Sequence, residues 1–282
     1  MRAIFRDARL QQQFERDGYV VVDLLGREDI GRLSQLHQRS AAGITGSNAW
    51  SYTSQSQDAA YRRTMSEGIC AVLEPRIDTV LDRCRSVIGN FFYKQASSVD
   101  SKIHMHQDWT WVDESRHHSL SVWCPCQPVD PDNGTLAVIP GSHLLSTRPR
   151  AFVSRFPYDD LVPVLSEKYS RHLTLAAGQA VFFHQRLFHW SGPNLAAAPR
   201  LAAACLVIPA EAEPVFPYGD PPANPRRIEF FEVTDALLYS FVPGVRPQGA
   251  RRVGELASAV EPLDEAALER LLGSHRGPAL AS

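Results

Sequence analysis

Apolar and polar positions divide the chain into stretches of different period. Leu10 and Phe14 stand four apart in a helix predicted over 7–17, with Asp7 as its N-cap. Asp17-Gly18 is a turn signal, and the β-branched run from Tyr19 to Leu25 reads as a buried strand. A second helix is predicted over 27–39, with Ile30, Leu33 and Leu36 on one face. The Gly/Ser/Thr/Asn-rich stretch 43–58 around Trp50 and Tyr52 reads as a loop near the mouth of a site. Helical spacing returns over 76–88 through Ile77, Val80, Leu81 and Cys84, with Pro75 near the start, where proline is tolerated.

From Asn90 to Ala210 the period shortens. Strands are predicted at 90–96, 102–109, 119–126, 135–139, 172–175, 179–184 and 200–208, parted by turns at Pro131-Asp-Asn-Gly134, Pro140-Gly-Ser, Ala177-Gly178 and Ser191-Gly-Pro-Asn194. Many short strands around one site predict a mainly β fold with flanking helices, a cupin-like jelly roll. Beyond 210 the chain is proline-rich to about 225, has one more apolar segment at Ile228–Val242, and predicts a short helix at 263–272. With no internal repeat and no linker, residues 1–282 read as a single domain: a helical part (1–89), a jelly-roll core (90–210) and a C-terminal extension (211–282).

Composition narrows the function classes. With 44% hydrophobic and 21% charged residues the chain resembles a soluble globular protein, and a net charge of -2 offers no basic field for nucleic acid or anionic lipid. No apolar run approaches the ~18 residues that span a bilayer, and the first residues carry no apolar signal region. Five cysteines are odd and sparse, which suits a reducing cytoplasm. Cys124 and Cys126 have no second, suitably spaced pair, so they read as members of an apolar strand rather than as a zinc or redox motif.

Chemistry enters with His106-Gln-Asp108 and, 81 positions past the aspartate, His189, followed eleven residues later by Arg200. Two histidines and one carboxylate are the set that holds Fe(II) on one face and leaves the other open. Residues i and i+2 of a strand share a face, so His106 and Asp108 are expected side by side on one strand, with His189 arriving from another. Arg200 opens an apolar strand, where a guanidinium is costly to bury without a carboxylate partner such as that of a dicarboxylate co-substrate. Two other readings stay open at this point. One is a metal cupin independent of such a co-substrate, using His104, His106 and Glu114 or His143; the other is a non-catalytic binding module. His184 is rejected as a ligand, His143 is assigned to a turn, and His117 and His118 to a loop.

Several segments together resemble the phytanoyl-CoA dioxygenase family of Fe(II)/2-oxoglutarate oxygenases. They are Phe14-Glu-Arg-Asp-Gly-Tyr-Val-Val, His106-Gln-Asp108-Trp109, Trp123, Asn133-Gly-Thr-Leu-Ala-Val-Ile-Pro-Gly-Ser-His143 and His189-x-Ser191-x-x-Asn194…Arg200. The resemblance spans residues 14 to about 208 and implies a double-stranded β-helix with iron on His106, Asp108 and His189. It implies 2-oxoglutarate held by Arg200 and Ser191, helped by Trp123, Ser119, the Phe92 strand and Gln107, with O2 as the oxidant. Because Asp108 is present, hydroxylation is expected rather than halogenation. Trp109, Trp111 and His104 are the candidate contacts for a polar small-molecule substrate. The early loop shows no basic cluster for a CoA phosphate, so phytanoyl-CoA itself is not expected as the substrate, and the last 70 or so residues match no known pattern.

Overall fold

The computed structural model describes residues 1–39, 49–152, 156–220 and 226–275. Helix α1 (Ala8–Asp17) starts where the Asp7 carboxylate accepts from the amides of Arg9 and Leu10, and stops at Gly18. Gly18 has φ +80, and a Cβ there would lie 2.5 Å from His143 Nδ1, so both backbone and packing demand glycine. Strand β1 (Tyr19–Asp23) and helix α2 (Arg27–Arg39) follow as predicted.

Two expectations fail here. Trp50 and Tyr52, placed in a loop by their polar neighbours, form strand β2 (Trp50–Tyr52) on the edge of β3 (Cys84–Lys94); residues 43–48 of that predicted loop lie outside the described residues. The helix predicted over 76–88 is α3 (Ala59–Val80), with Pro75 inside it rather than at its start. Its buried face runs back from Ile77 through Leu73, Ile69 and Met65 at helical spacing. Cys84 to Ile88 pair instead with the end of β10 (Arg200–Pro209).

The remaining strands are β4 (Ile103–His106), β5 (Leu120–Pro125), β6 (Leu136–Val138), β7 (Arg171–His172), β8 (Gln179–His184) and β9 (His189–Ser191). A six-stranded antiparallel sheet has the order β1-β8-β5-β10-β3-β2, and a four-stranded one β4-β9-β6-β7. The eight strands β3–β10 divide between the two sheets, which makes a jelly roll. Alternation along the large sheet explains its two faces. Val122, Cys124, Phe182, Ala203 and Cys205 point to the helices, packing on Phe14, Leu33, Met65, Ile69 and Leu73. Trp123, Val181, Phe183, Ala202 and Ala204 point inward and meet Leu136 and Val138 of the small sheet. Each fully buried Val, Leu, Ile, Phe or Met side chain among these stabilises the fold by about 1.5–3 kcal/mol.

The C-terminal extension holds more structure than its prolines suggest. Strands β11 (Val215–Asp220), β12 (Arg227–Glu232) and β13 (Arg252–Ala257) form a third antiparallel sheet. Phe216, Phe231 and Phe241 pack on Ile88, Trp111 and Leu206 of the core. The apolar segment predicted at 228–242 is β12 followed by helix α5 (Asp235–Ser240); α4 (Val162–Val164) lies before β7, and α6 (Glu265–Leu272) matches the predicted helix. Among the described residues no helix is long and apolar enough to cross a membrane.

Candidate active site

A cavity of about 430 Å³ opens between the two sheets, and all five tryptophans of the chain line it. Strands β4 and β9 run antiparallel with His106 and His189 directly paired, their rings 4.2 Å apart. Asp108 Oδ1 lies 3.9 Å from His106 Nε2 and 3.7 Å from His189 Nε2. Ligand atoms of the three residues all fall within 4.8 Å of one another. This is the spacing at which one ion could bridge them.

Local hydrogen bonds aim these atoms. His106 Nδ1 meets the His104 carbonyl at 2.8 Å and His189 Nδ1 the Leu187 carbonyl at 3.0 Å, so each ring carries its proton there and turns an Nε2 lone pair toward the aspartate. Partial burial in the cavity wall, reinforced by the facing His189 ring, pushes His106 below its ordinary value, which keeps it neutral near pH 7. The expected pairing of His106 and Asp108 on one strand is corrected: β4 ends at His106, and Asp108 sits on the irregular segment beyond. Its position is set from outside. Ser121 Oγ donates to Asp108 Oδ2 at 2.6 Å, and Arg150 Nε donates to the Asp108 carbonyl at 2.8 Å.

Arg200, 2% exposed, lines the same cavity. One guanidinium nitrogen donates to the Phe92 carbonyl at 3.3 Å, the Trp123 ring lies 5.5 Å away, and Nε has no partner. Lys94, paired with Arg200 across β3 and β10, is wholly buried and donates to Ser191 Oγ at 2.6 Å and to the Gly192 carbonyl. Burial pushes Arg200 down to about 10; burial and the nearby Arg200 charge push Lys94 to about 6. Among the described residues no carboxylate pairs with either. A dicarboxylate reaching from the ion position to Arg200 would supply the missing negative charge. The donor set therefore fits both an Fe(II) ion and 2-oxoglutarate.

The phytanoyl-CoA dioxygenase (PhyH) family model matches residues 14–202. The chain belongs to this family. Peroxisomal phytanoyl-CoA dioxygenase of Bos taurus is 28% identical over 107 residues, covering 36% of this chain and 32% of the relative, so the match spans about a third of that protein's length. The solved structure of SnoK, a non-heme α-ketoglutarate-dependent carbocyclase from nogalamycin biosynthesis, superposes with a TM-score of 0.59 at 16% identity, covering 88% of this chain and 96% of that one. The epimerase SnoN, in complex with Fe3+, α-ketoglutarate and nogalamycin RO, gives 0.54 at 21% identity, covering 90% and 95%. At these identities the two structures show the fold alone.

Beyond the triad, the structure sorts the other predicted members of this PhyH chain's site. Ser191 and Trp123 line the cavity beside Arg200, and the Phe92 ring stacks on Tyr52 in its wall. Gln107 also lines it, but its amide donates to the Arg186 carbonyl at 2.7 Å. Ser119 is corrected: it shares strand parity with Ser121 and Trp123, yet lies one step too early, outside the cavity, with its hydroxyl 3.5 Å from Glu114. Trp109 and Trp111 stack 6.0 Å apart, and exposed His104 stands at the cavity edge. The other cupin-type ligand set is not assembled. Glu114 gives both oxygens to Arg150 at 2.6 and 2.9 Å, while His143 meets the Glu15 carbonyl and packs on His184.

Sequence reasoning missed Ser121, Lys94, Arg148 and Arg150. Parity could have found the first two, since Ser121 shares a face with Trp123 and Lys94 follows Phe92 by two. The two arginines lie in a segment without regular structure, so no period marks them.

Proposed function

We propose that this chain is an Fe(II)- and 2-oxoglutarate-dependent oxygenase that hydroxylates a small molecule held in the cavity. The observation that carries the reading is the convergence of His106, Asp108 and His189 within 4.8 Å in the cavity that Arg200 also lines, a guanidinium whose Nε has no partner and which no carboxylate pairs among the described residues. His106 Nε2, His189 Nε2 and Asp108 Oδ1 would hold the metal, and Arg200 with Ser191 the far carboxylate of 2-oxoglutarate. Bound together with O2, iron and 2-oxoglutarate supply the oxidising power, releasing succinate and CO2.

The chain's own residues orient and protect. Ser121 holds the outer oxygen of Asp108, and Arg150 holds its backbone. The Trp123 face shields Arg200 from water, which strengthens its attraction for a carboxylate. Asp108 fills the position a halide would need, so oxygen insertion is favoured over halogenation. Ring closure and epimerisation, the reactions of the two nogalamycin enzymes, belong in any product screen. We place the reaction in the cytoplasm, since five sparse and odd-numbered cysteines suit a reducing compartment, and propose that residues 1–282 act as one domain.

Anaerobic titration with Fe(II) should give one ion per chain, and addition of 2-oxoglutarate a visible charge-transfer band. Arg200→Gln should keep the iron but weaken 2-oxoglutarate about ten- to hundredfold, the ~1.5–3 kcal/mol of a charge-assisted pair. Iron binding with no response to 2-oxoglutarate would return the chain to the co-substrate-independent cupins.

A further inference from the structure

The cavity holds a second unsatisfied guanidinium, on a different segment from Arg200. Arg148 lines the cavity, is 7% exposed, and has an Nε with no hydrogen-bond partner. Among the described residues its side chain makes no hydrogen bond and no ion pair. Its surroundings do not explain the charge. Arg150, two residues on, is also cationic; Glu114 is spent on Arg150 in a bidentate pair, and Glu261 acts on Arg148 without forming an ion pair with it. Burial pushes the Arg148 guanidinium down from its ordinary range, and Arg150 adds to that while Tyr158 and Glu261 partly oppose it. A buried, unpaired guanidinium is costly, so the free chain carries a binding group waiting for an anion.

A second group on the cavity wall points the same way. Gln185 is 2% exposed and its Oε1 has no donor. Around these two polar atoms the lining is aromatic: Trp50, Tyr52 and Phe92 form a stacked run with ring centroids 5.8 Å apart, and Trp109 meets Phe152 edge-on at 6.2 Å. A few directed polar groups in an aromatic chamber are how a cavity selects one end of a ring-bearing ligand.

We propose that Arg148 anchors a carboxylate of the primary substrate, that Gln185 accepts from a hydroxyl or N–H on it, and that the aromatic walls hold a conjugated ring system between them and the metal position. A carboxylate is chosen over a phosphate because a single guanidinium remains for the substrate once Arg150 is paired and Arg200 is occupied. One planar fork matches one carboxylate bidentately. This deepens the oxygenase reading and rests on it only in assigning Arg200 to 2-oxoglutarate.

The test uses the full chain, anaerobic, with Fe(II) and saturating 2-oxoglutarate, titrated calorimetrically with three acids and their neutral amides: benzoate and benzamide, 2-naphthoate and 2-naphthamide, indole-3-carboxylate and its carboxamide. At least one acid should bind tenfold or more tighter than its amide. Arg148→Gln should remove that preference, weakening the acid about ten- to hundredfold while leaving the amide and the charge-transfer band unchanged. Arg148→Lys should restore part of it. If no acid outbinds its amide, or the preference survives in Arg148→Gln, the proposal is overturned. Failure of the wild-type chain to form the charge-transfer band would sink the oxygenase reading instead, and the effect of Arg148→Gln on the acids would still be judged in the metal-free chain.

Discussion

Imidazole rings crowd together at two places in this molecule. His106 and His189 stand 4.2 Å apart at the cavity, and His184 stands 5.6 Å from His143 and 5.9 Å from His118 under α1. At the first place each Nδ1 is tied to a backbone carbonyl two residues back, each Nε2 is free, and a carboxylate joins them. At the second, Phe14 packs on His118 and His184, His184 Nδ1 accepts from the Arg186 amide, and His143 Nε2 meets the Glu15 carbonyl. Among the described residues only the first group gathers three ligand atoms around one point. Crowded histidines alone do not make a metal site. A metal site also needs a carboxylate, a fixed tautomer and an opening to the cavity, and the group proposed to hold iron has all three.

Exchanging the two groups in an experiment gives the largest effect. His189→Ala should abolish both iron binding and turnover, since a histidine and a carboxylate are too few ligands to retain the ion. His184→Gln should lower Tm and leave the iron stoichiometry at one per chain. Metal analysis of the two purified variants checks this, and iron loss in His184→Gln would erase the distinction.

Acid bears next on the metal-free chain, through the three rings under α1 as well as through His106. Burial pushes His118 and His143 down to about 4, and His184 well below its ordinary value. The unfolded chain takes up these protons near pH 6.5, and the folded chain takes up those of His118 and His143 only near 4, so folding is fully supported above 6.5 and loses stability as pH falls toward 4. The loss is on the order of a few kcal/mol. His143→Gln, which keeps a donor for Glu15, should cut the proton uptake on unfolding between these limits by about one proton. Tm measured against pH for both proteins decides it, and an unchanged slope would mean that His143 is already charged in the fold.

The first group was legible in the sequence because the proposed ligand set, His106, Asp108 and His189, and the arginine after it, Arg200, depend on residue type and announce themselves by identity and order. The jelly roll was legible because its strands bury alternate residues on two faces, as Val122 and Trp123 do. What period cannot say is where a strand stops. The period carries the strand on to Asp108 although it ends at His106, and it points to Ser119 rather than Ser121, a slip of one pair of residues. Tertiary pairing also hid β2 and the β11–β13 sheet, whose short strands gain their stability from the core aromatics they cover rather than from any pattern of their own.

Ser121 offers the finest test of what distinguishes the cavity group. Its hydroxyl occupies Asp108 Oδ2 and so leaves Oδ1 as the oxygen facing both Nε2 atoms. None of the three histidines under α1 has a carboxylate held in this way. Ser121→Ala should let the Asp108 carboxylate turn, weakening Fe(II) by about tenfold while 2-oxoglutarate affinity at saturating iron stays unchanged. Ser121→Thr, which keeps the hydroxyl, should recover most of the loss. Anaerobic competition of each variant against a chelator of known affinity measures it. A Ser121→Ala chain that holds iron as tightly as the parent would show that the two histidines orient the aspartate through the metal itself, with no help from the strand beneath.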